Sequence, residues 1–131
     1  MTPRQEAASR AMRSLLDGAL AHLDDADRDD LVRVVTTLVD TFAPERVYLY
    51  GSQARGAANP DSDVDLLVVV PDAGEYPHHL DQAAYRAVGD HRVPLDILFI
   101  SGDEFAWQTE VVASLPATVL REGHLLYAAA A

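Results

Sequence analysis

One stretch limits the folds open to this chain more than any other: YLYGSQARGAANPDSDVDLLVVV, residues 48–70. A β-prone run stops at Gly51, a loop rich in Asn, Pro, Asp and Ser follows, and Asp63 and Asp65 then open the apolar run LLVVV. Alternation along a strand sends Asp63 and Asp65 to one face and Val64 to the other. Two like charges at one spot raise each other's pKa and cost stability unless something positive stands between them. A hard divalent cation on oxygen ligands meets that need. Magnesium fits best, because it takes one or two protein carboxylates and keeps its other positions for water and phosphate oxygens.

The order of the parts narrows the topology. Gly51 and Ser52 form a strand-to-helix turn, where glycine permits close backbone approach and exposed amides can hold a phosphate oxygen. If the end of that strand and the start of the next meet at one ligand, the two strands run antiparallel. A mixed sheet follows, rather than a doubly wound parallel one. Bridging two metal ions about 3.5–4 Å apart for in-line attack at phosphorus calls for a third carboxylate. Asp96 supplies it: in VPLDILFI it interrupts an apolar strand, and a charge in a central strand is costly unless paired or metal-bound. Leu98 and Ile100 share its face.

Around these strands the pattern is helical. Thr2, Pro3 and Gln5 make a capping-box start, and Ala8, Met12, Leu15, Leu16, Ala19 and Leu23 recur at helical spacing, predicting a first helix over 3–23. DDADRDD places acids before Leu31, Val34, Val35, Leu38, Val39 and Phe42, a second amphipathic helix with negative charge at its positive end and Pro44 beyond it. Leu80, Ala83, Ala84, Ala87 and Val88 give a third stripe that closes near Gly89. Ser101 and Glu104 open a helix expected to run through Phe105, Trp107, Val111 and Val112 as core, and Pro116 restarts the pattern before a short final strand in REGHLLYA. With 131 residues and no internal repeat or linker, one domain is expected, the first helix being an extension.

Composition excludes little but steers. A formal charge of −11 repels a phosphate backbone, so long nucleic acid is disfavoured, whereas a basic protein partner or an anion carried in with its own cation suits the balance. With no cysteine, disulfides and thiolate zinc sites are excluded. No run approaches the roughly 18 apolar residues of a membrane span, and the N-terminal residues lack the apolar centre of a signal peptide, so a cytoplasmic protein is expected. His22, His78, His79, His91 and His124 show no zinc spacing and read as surface residues. Asp61 and Ser62 read as turn residues, and Arg55 suits either a phosphate or a neighbouring acid.

Gly51-Ser52, ten residues, Asp63-Val64-Asp65, an apolar strand and a later strand aspartate together resemble the DNA polymerase beta nucleotidyltransferase superfamily. YGSQARGAANPDSDVDLLVVV in so short a chain, with the closing LREGHLLY, more closely resembles the minimal nucleotidyltransferases that act as antitoxins beside HEPN-family ribonuclease toxins. The resemblance spans about residues 30–127. It implies an α/β (α+β) nucleotidyltransferase fold, a small mixed sheet flanked by helices, here with two N-terminal helices. It implies transfer of AMP from magnesium-bound ATP to an acceptor hydroxyl, a tyrosine of the partner toxin. Asp63 and Asp65 would then hold two magnesium ions, Asp96 would complete one of them and receive the acceptor's proton, and Gly51, Ser52 and Arg55 would grip the nucleotide. Two rivals stand beside it: masking of the toxin by binding alone, and transfer to a small molecule of the aminoglycoside type.

Overall fold

A computed structural model describes residues 2–54, 62–71 and 80–130, which form six helices and four strands. In chain order these are α1 (Pro3–Ala19), α2 (Asp25–Phe42), β1 (Arg46–Tyr50), α3 (Gly51–Ala54), β2 (Val64–Val70), α4 (Leu80–Val88), β3 (Leu95–Ser101), α5 (Gly102–Gln108), α6 (Leu115–Glu122) and β4 (His124–Ala128). No helix among the described residues is long and apolar enough to cross a membrane.

The expected capping box at the head of α1 is present: Thr2 Oγ1 accepts from the Gln5 amide at 3.1 Å, and Gln5 Oε1 accepts from the Thr2 amide at 2.8 Å. The helix stops at Ala19, short of residue 23. Leu20 and Leu23 leave the helical path to bury their side chains, at 0% and 6% exposure. The backbone carbonyls this frees are met by Arg28, whose guanidinium donates to Leu20, Ala21 and Leu23. A helix end costs little once its orphan carbonyls find such donors. Asp24 caps α2, its side chain accepting from the Asp27 amide, and Ala43 closes that helix in the left-handed conformation ahead of Pro44.

The sheet order is β3-β2-β1-β4. β1 pairs antiparallel with β2 and β4, while β2 pairs parallel with β3, so the sheet is mixed as expected. A parallel neighbour needs a crossover, and α4 provides it. Alternation then divides the sheet into two faces. Val47, Leu49, Val64, Leu66, Val68, Val70 and Ile97 pack with Met12, Leu16, Leu20, Leu31, Val34, Val35 and Leu38 beneath α1, α2 and α4. Tyr48, Leu67 and Val69 pack on the other face with Phe105 of α5 and Val119 of α6. Burying the apolar side chains of β2 on both sides stabilises the centre of the fold by about 1.5–3 kcal/mol for each large residue.

Two expectations are corrected. α5 ends at Gln108, and of the residues read as its core only Phe105 is buried, stacked on Tyr48 with ring centroids 5.4 Å apart. Trp107, Val111 and Val112 are exposed at 55%, 47% and 76%. A seven-residue helix has one buried stripe, and Phe105 fills it. Secondly, β3 is an edge strand rather than a central one. Edge placement alone tolerates a charge, so the case for Asp96 rests on what stands beside it.

Candidate active site

Three residues form one row across the sheet. Tyr50, the last residue of β1, faces Asp65 in antiparallel register, and Asp65 faces Asp96 in parallel register. Alternation puts all three on the α5–α6 face, at the end of the strands away from the start of α5. Asp65 and Asp96 are half-buried. Asp63 is exposed and stands just ahead of β2, so the pair is not two positions of one strand: Asp65 is held by the ladder and Asp63 is not.

Gly51 closes the row from the other side. Its φ is +84°, and a Cβ built there would lie 2.0 Å from Asp65 Oδ2 and 3.0 Å from its Cγ. Only glycine combines that backbone conformation with so close an approach. The carboxylate therefore lies directly against the backbone where β1 turns into α3. Ser52 belongs to α3, but its side chain lies outside what the structure describes, as do Arg55, Asp61, His78 and His79.

The electrostatics of the row are unbalanced. Burial first, then Asp96, then Asp63, push the Asp65 carboxyl above the usual carboxylate range. Burial, then Asp65, Asp96 and Tyr85, push the Tyr50 hydroxyl upward as well. Among the described residues no hydrogen bond or ion pair reaches the carboxylates of Asp63, Asp65 or Asp96. The arginines that do form ion pairs there, Arg13, Arg28, Arg33 and Arg92, are engaged with Asp17, Asp25, Asp27, Asp29 and Asp30 around α2.

This donor set fits an oxygen-bound divalent cation: carboxylates from adjacent strands, uncompensated by protein charge among the described residues and backed by bare backbone. Among the described residues no three His, Cys, Asp or Glu side chains are placed to hold a metal ion by themselves. A cation of the magnesium type needs only one or two of them, the remaining positions going to water and phosphate. A cavity of about 790 Å³ lies on the opposite face, lined by Ala8, Met12, Val39, Leu126 and Tyr127, and belongs to the α1–α2–β4 packing rather than to the aspartates.

Four residues around the row have no motif to announce them. Tyr85 of α4 holds the free edge of β3 on both sides of Asp96: its hydroxyl accepts from the Ile97 amide at 2.9 Å and donates to the Leu95 carbonyl at 3.3 Å. Tyr50 is one member of the row itself. Gln53 and His22 meet in a hydrogen bond behind α3; His22 is exposed, as expected, and engaged. Gln53 stands inside the quoted motif, yet a polar residue in a turn gives no sequence signal of burial.

The profile of the nucleotidyltransferase domain family matches residues 31–120. Among solved structures, a candidate nucleotidyltransferase from Sulfolobus solfataricus is similar, with 17% identity over 98% of this chain and 90% of that one and a TM-score of 0.48. No curated protein matches significantly. The profile spans α3, β2 and β3 and therefore every residue of the carboxylate row. The chain belongs to the nucleotidyltransferase domain family, whose reaction is nucleotidyl transfer.

Proposed function

We propose that the protein is a magnesium-dependent adenylyltransferase that moves AMP from ATP to a hydroxyl, a tyrosine of a HEPN-family ribonuclease toxin, and so acts as its antitoxin in the cytoplasm. The observation that carries the nucleotidyl-transfer part is the Asp65–Asp96 pair, in register on adjacent strands and without a cation partner among the described residues, with Asp65 lying against the backbone of Gly51. Asp63 and Asp65 would hold two magnesium ions, with Asp96 completing one of them, and the ions when bound would neutralise phosphate charge as it develops. The turn at Gly51 and Ser52, with Arg55, would hold the triphosphate. The acceptor oxygen attacks the α-phosphorus, the bond from that phosphorus to the pyrophosphate oxygen breaks, and the hydroxyl proton passes to the Asp96 carboxylate. The antitoxin role rests on the sequence resemblance and on the acidic balance of the chain, which suits a basic protein partner.

Incubating the protein with labelled ATP, magnesium and the purified partner should label the partner. No label, or equal label from Asp63→Ala, would sink the proposal. Masking by binding has one observation in its favour: Trp107 on α5, Val111 and Val112 in the connection that follows, and Leu115 and Leu120 on α6 stand exposed, a concentration of large apolar side chains suited to a protein contact. An Asp63→Asn, Asp65→Asn double variant separates the two readings. Full toxin inhibition by that variant favours masking, and none favours chemistry.

A further inference from the structure

Gln53 is the one buried polar side chain among the described residues, at 1% exposure. It lies in α3, next to the Gly51–Ser52 turn. Its Nε2 donates to the Ser62 carbonyl at 2.7 Å, and its Oε1 faces His22 Nε2 from the connection between α1 and α2. An amide oxygen only accepts, so in this hydrogen bond the His22 Nε2 carries the proton and donates it. At the end of α3, His124 Nε2 faces the Ala54 carbonyl at 3.3 Å, bringing a second imidazole from β4.

A four-residue helix has too few internal hydrogen bonds to fix its own place, so contacts from outside must do it. Gln53 ties that helix to Ser62, the residue immediately before Asp63. One amide thus spans the two halves of the candidate site: the turn that would grip the triphosphate and the carboxylates that would hold the cation. We propose that Gln53, anchored by His22, is a positioning residue that sets the separation of the Gly51–Ser52 turn from Asp63, the carboxylate that the strand ladder does not hold. The inference rests on the nucleotidyltransferase reading of the site. It extends the working apparatus to the α1–α2 connection, since His22 lies outside the stretch matched by the family.

The test uses the full chain and reads binding of the manganese–ATP complex alongside transfer and thermal melting. Gln53→Met keeps the volume and removes the hydrogen bonds to Ser62 and His22. Gln53→Glu keeps an acceptor for His22 and places an oxygen against the Ser62 carbonyl. Each should weaken manganese–ATP binding about tenfold and lower kcat by about 10–100-fold, as misplacement of a site by a fraction of an ångström does, with KM for the acceptor unchanged. His22→Ala should cost less, about threefold in binding, and adding it to Gln53→Met should cost nothing more, because His22 acts only through Gln53. Wild-type affinity in Gln53→Met and Gln53→Glu, or losses that multiply in the double variant, would overturn the proposal. If Gln53→Met does not melt cooperatively, His22→Ala decides alone: weakened binding at an unchanged Tm supports the proposal, and unchanged binding overturns it. A wild-type protein that binds no manganese–ATP defeats the nucleotidyltransferase reading itself, and that arm is read independently of the variants.

Discussion

Replacing Asp65 with asparagine should make the metal-free protein more stable while removing its activity. The carboxylate stands in register beside Asp96, is half-buried, and has no cation partner among the described residues. Neighbouring strands lie about 4.8 Å apart, so two unit charges roughly 5 Å apart repel by about 0.8 kcal/mol in water and about 3 kcal/mol at an effective dielectric near 20. Partial exposure screens the pair, which puts the expected gain near the lower figure, about 1 kcal/mol. In a chain of this size that is a rise in Tm of about 3–4 °C. The pH dependence has a definite sign. Burial, Asp96 and Asp63 raise the folded-state pKa of Asp65, so the folded state holds its proton longer than the unfolded state. Wild-type stability should then fall as pH rises above the ordinary carboxylate pKa of about 4 and through the raised one. Asp65→Asn lacks that fall, and the two proteins should converge in stability below the ordinary pKa.

The assay is thermal melting by circular dichroism in EDTA across pH, repeated with magnesium. A cation that binds only the folded state should raise the Tm of wild type and leave the asparagine variant unmoved. Asp25→Asn is the opposite control, because hydrogen bonds from Arg28 and Arg13 hold the Asp25 carboxyl below its usual range. Its contribution is present above the ordinary pKa and lost in acid, so that variant should melt lower at neutral pH. An Asp65→Asn protein that melts with or below wild type in EDTA would refute the claim that the aspartate row carries uncompensated repulsion.

Other variants probe separate parts of the argument. Gly51→Ala should lose at least about 1–2 kcal/mol in urea denaturation from the left-handed backbone alone, and nucleotide binding with it, since its Cβ would meet Asp65 Oδ2 at 2.0 Å. Asp63→Ala should melt like wild type, its side chain being exposed, yet transfer no label. Phe105→Ala should cost about 3–5 kcal/mol of stability, whereas Trp107→Ser should stay within about 0.5 kcal/mol. Equal losses at Phe105 and Trp107 would contradict the packing of α5, where one ring stacks on Tyr48 and the other stands in solvent.

Much of the fold was legible because its rules are local. β-prone apolar runs marked β1, β2 and β3, period 3.6 marked α1, α2 and α4, and side-chain oxygens at Thr2 and Ser101 marked helix starts within one turn of the atoms they cap. The antiparallel sense of β1 and β2 was also within reach, since Gly51 and Asp65 had to meet at one place. What failed depended on distant contacts. α1 stops at Ala19 because Arg28, from the next helix, receives the carbonyls freed when Leu20 and Leu23 turn inward. Trp107 is exposed because a short α5 has one buried stripe and Phe105 occupies it.

The sequence by itself determined the kinds of groups in the candidate site and their order: a glycine turn, a carboxylate pair, a later strand carboxylate. Tertiary structure alone decided their relations. It aligned Tyr50, Asp65 and Asp96 in one cross-strand row, set Asp63 outside the ladder, and placed β3 at the sheet edge with Tyr85 capping it. It also buried Gln53 between His22 and Ser62. The physical reason is that residue type and spacing fix which face of a strand a side chain takes, whereas register and strand order are set by how whole faces pack against helices far away in the chain.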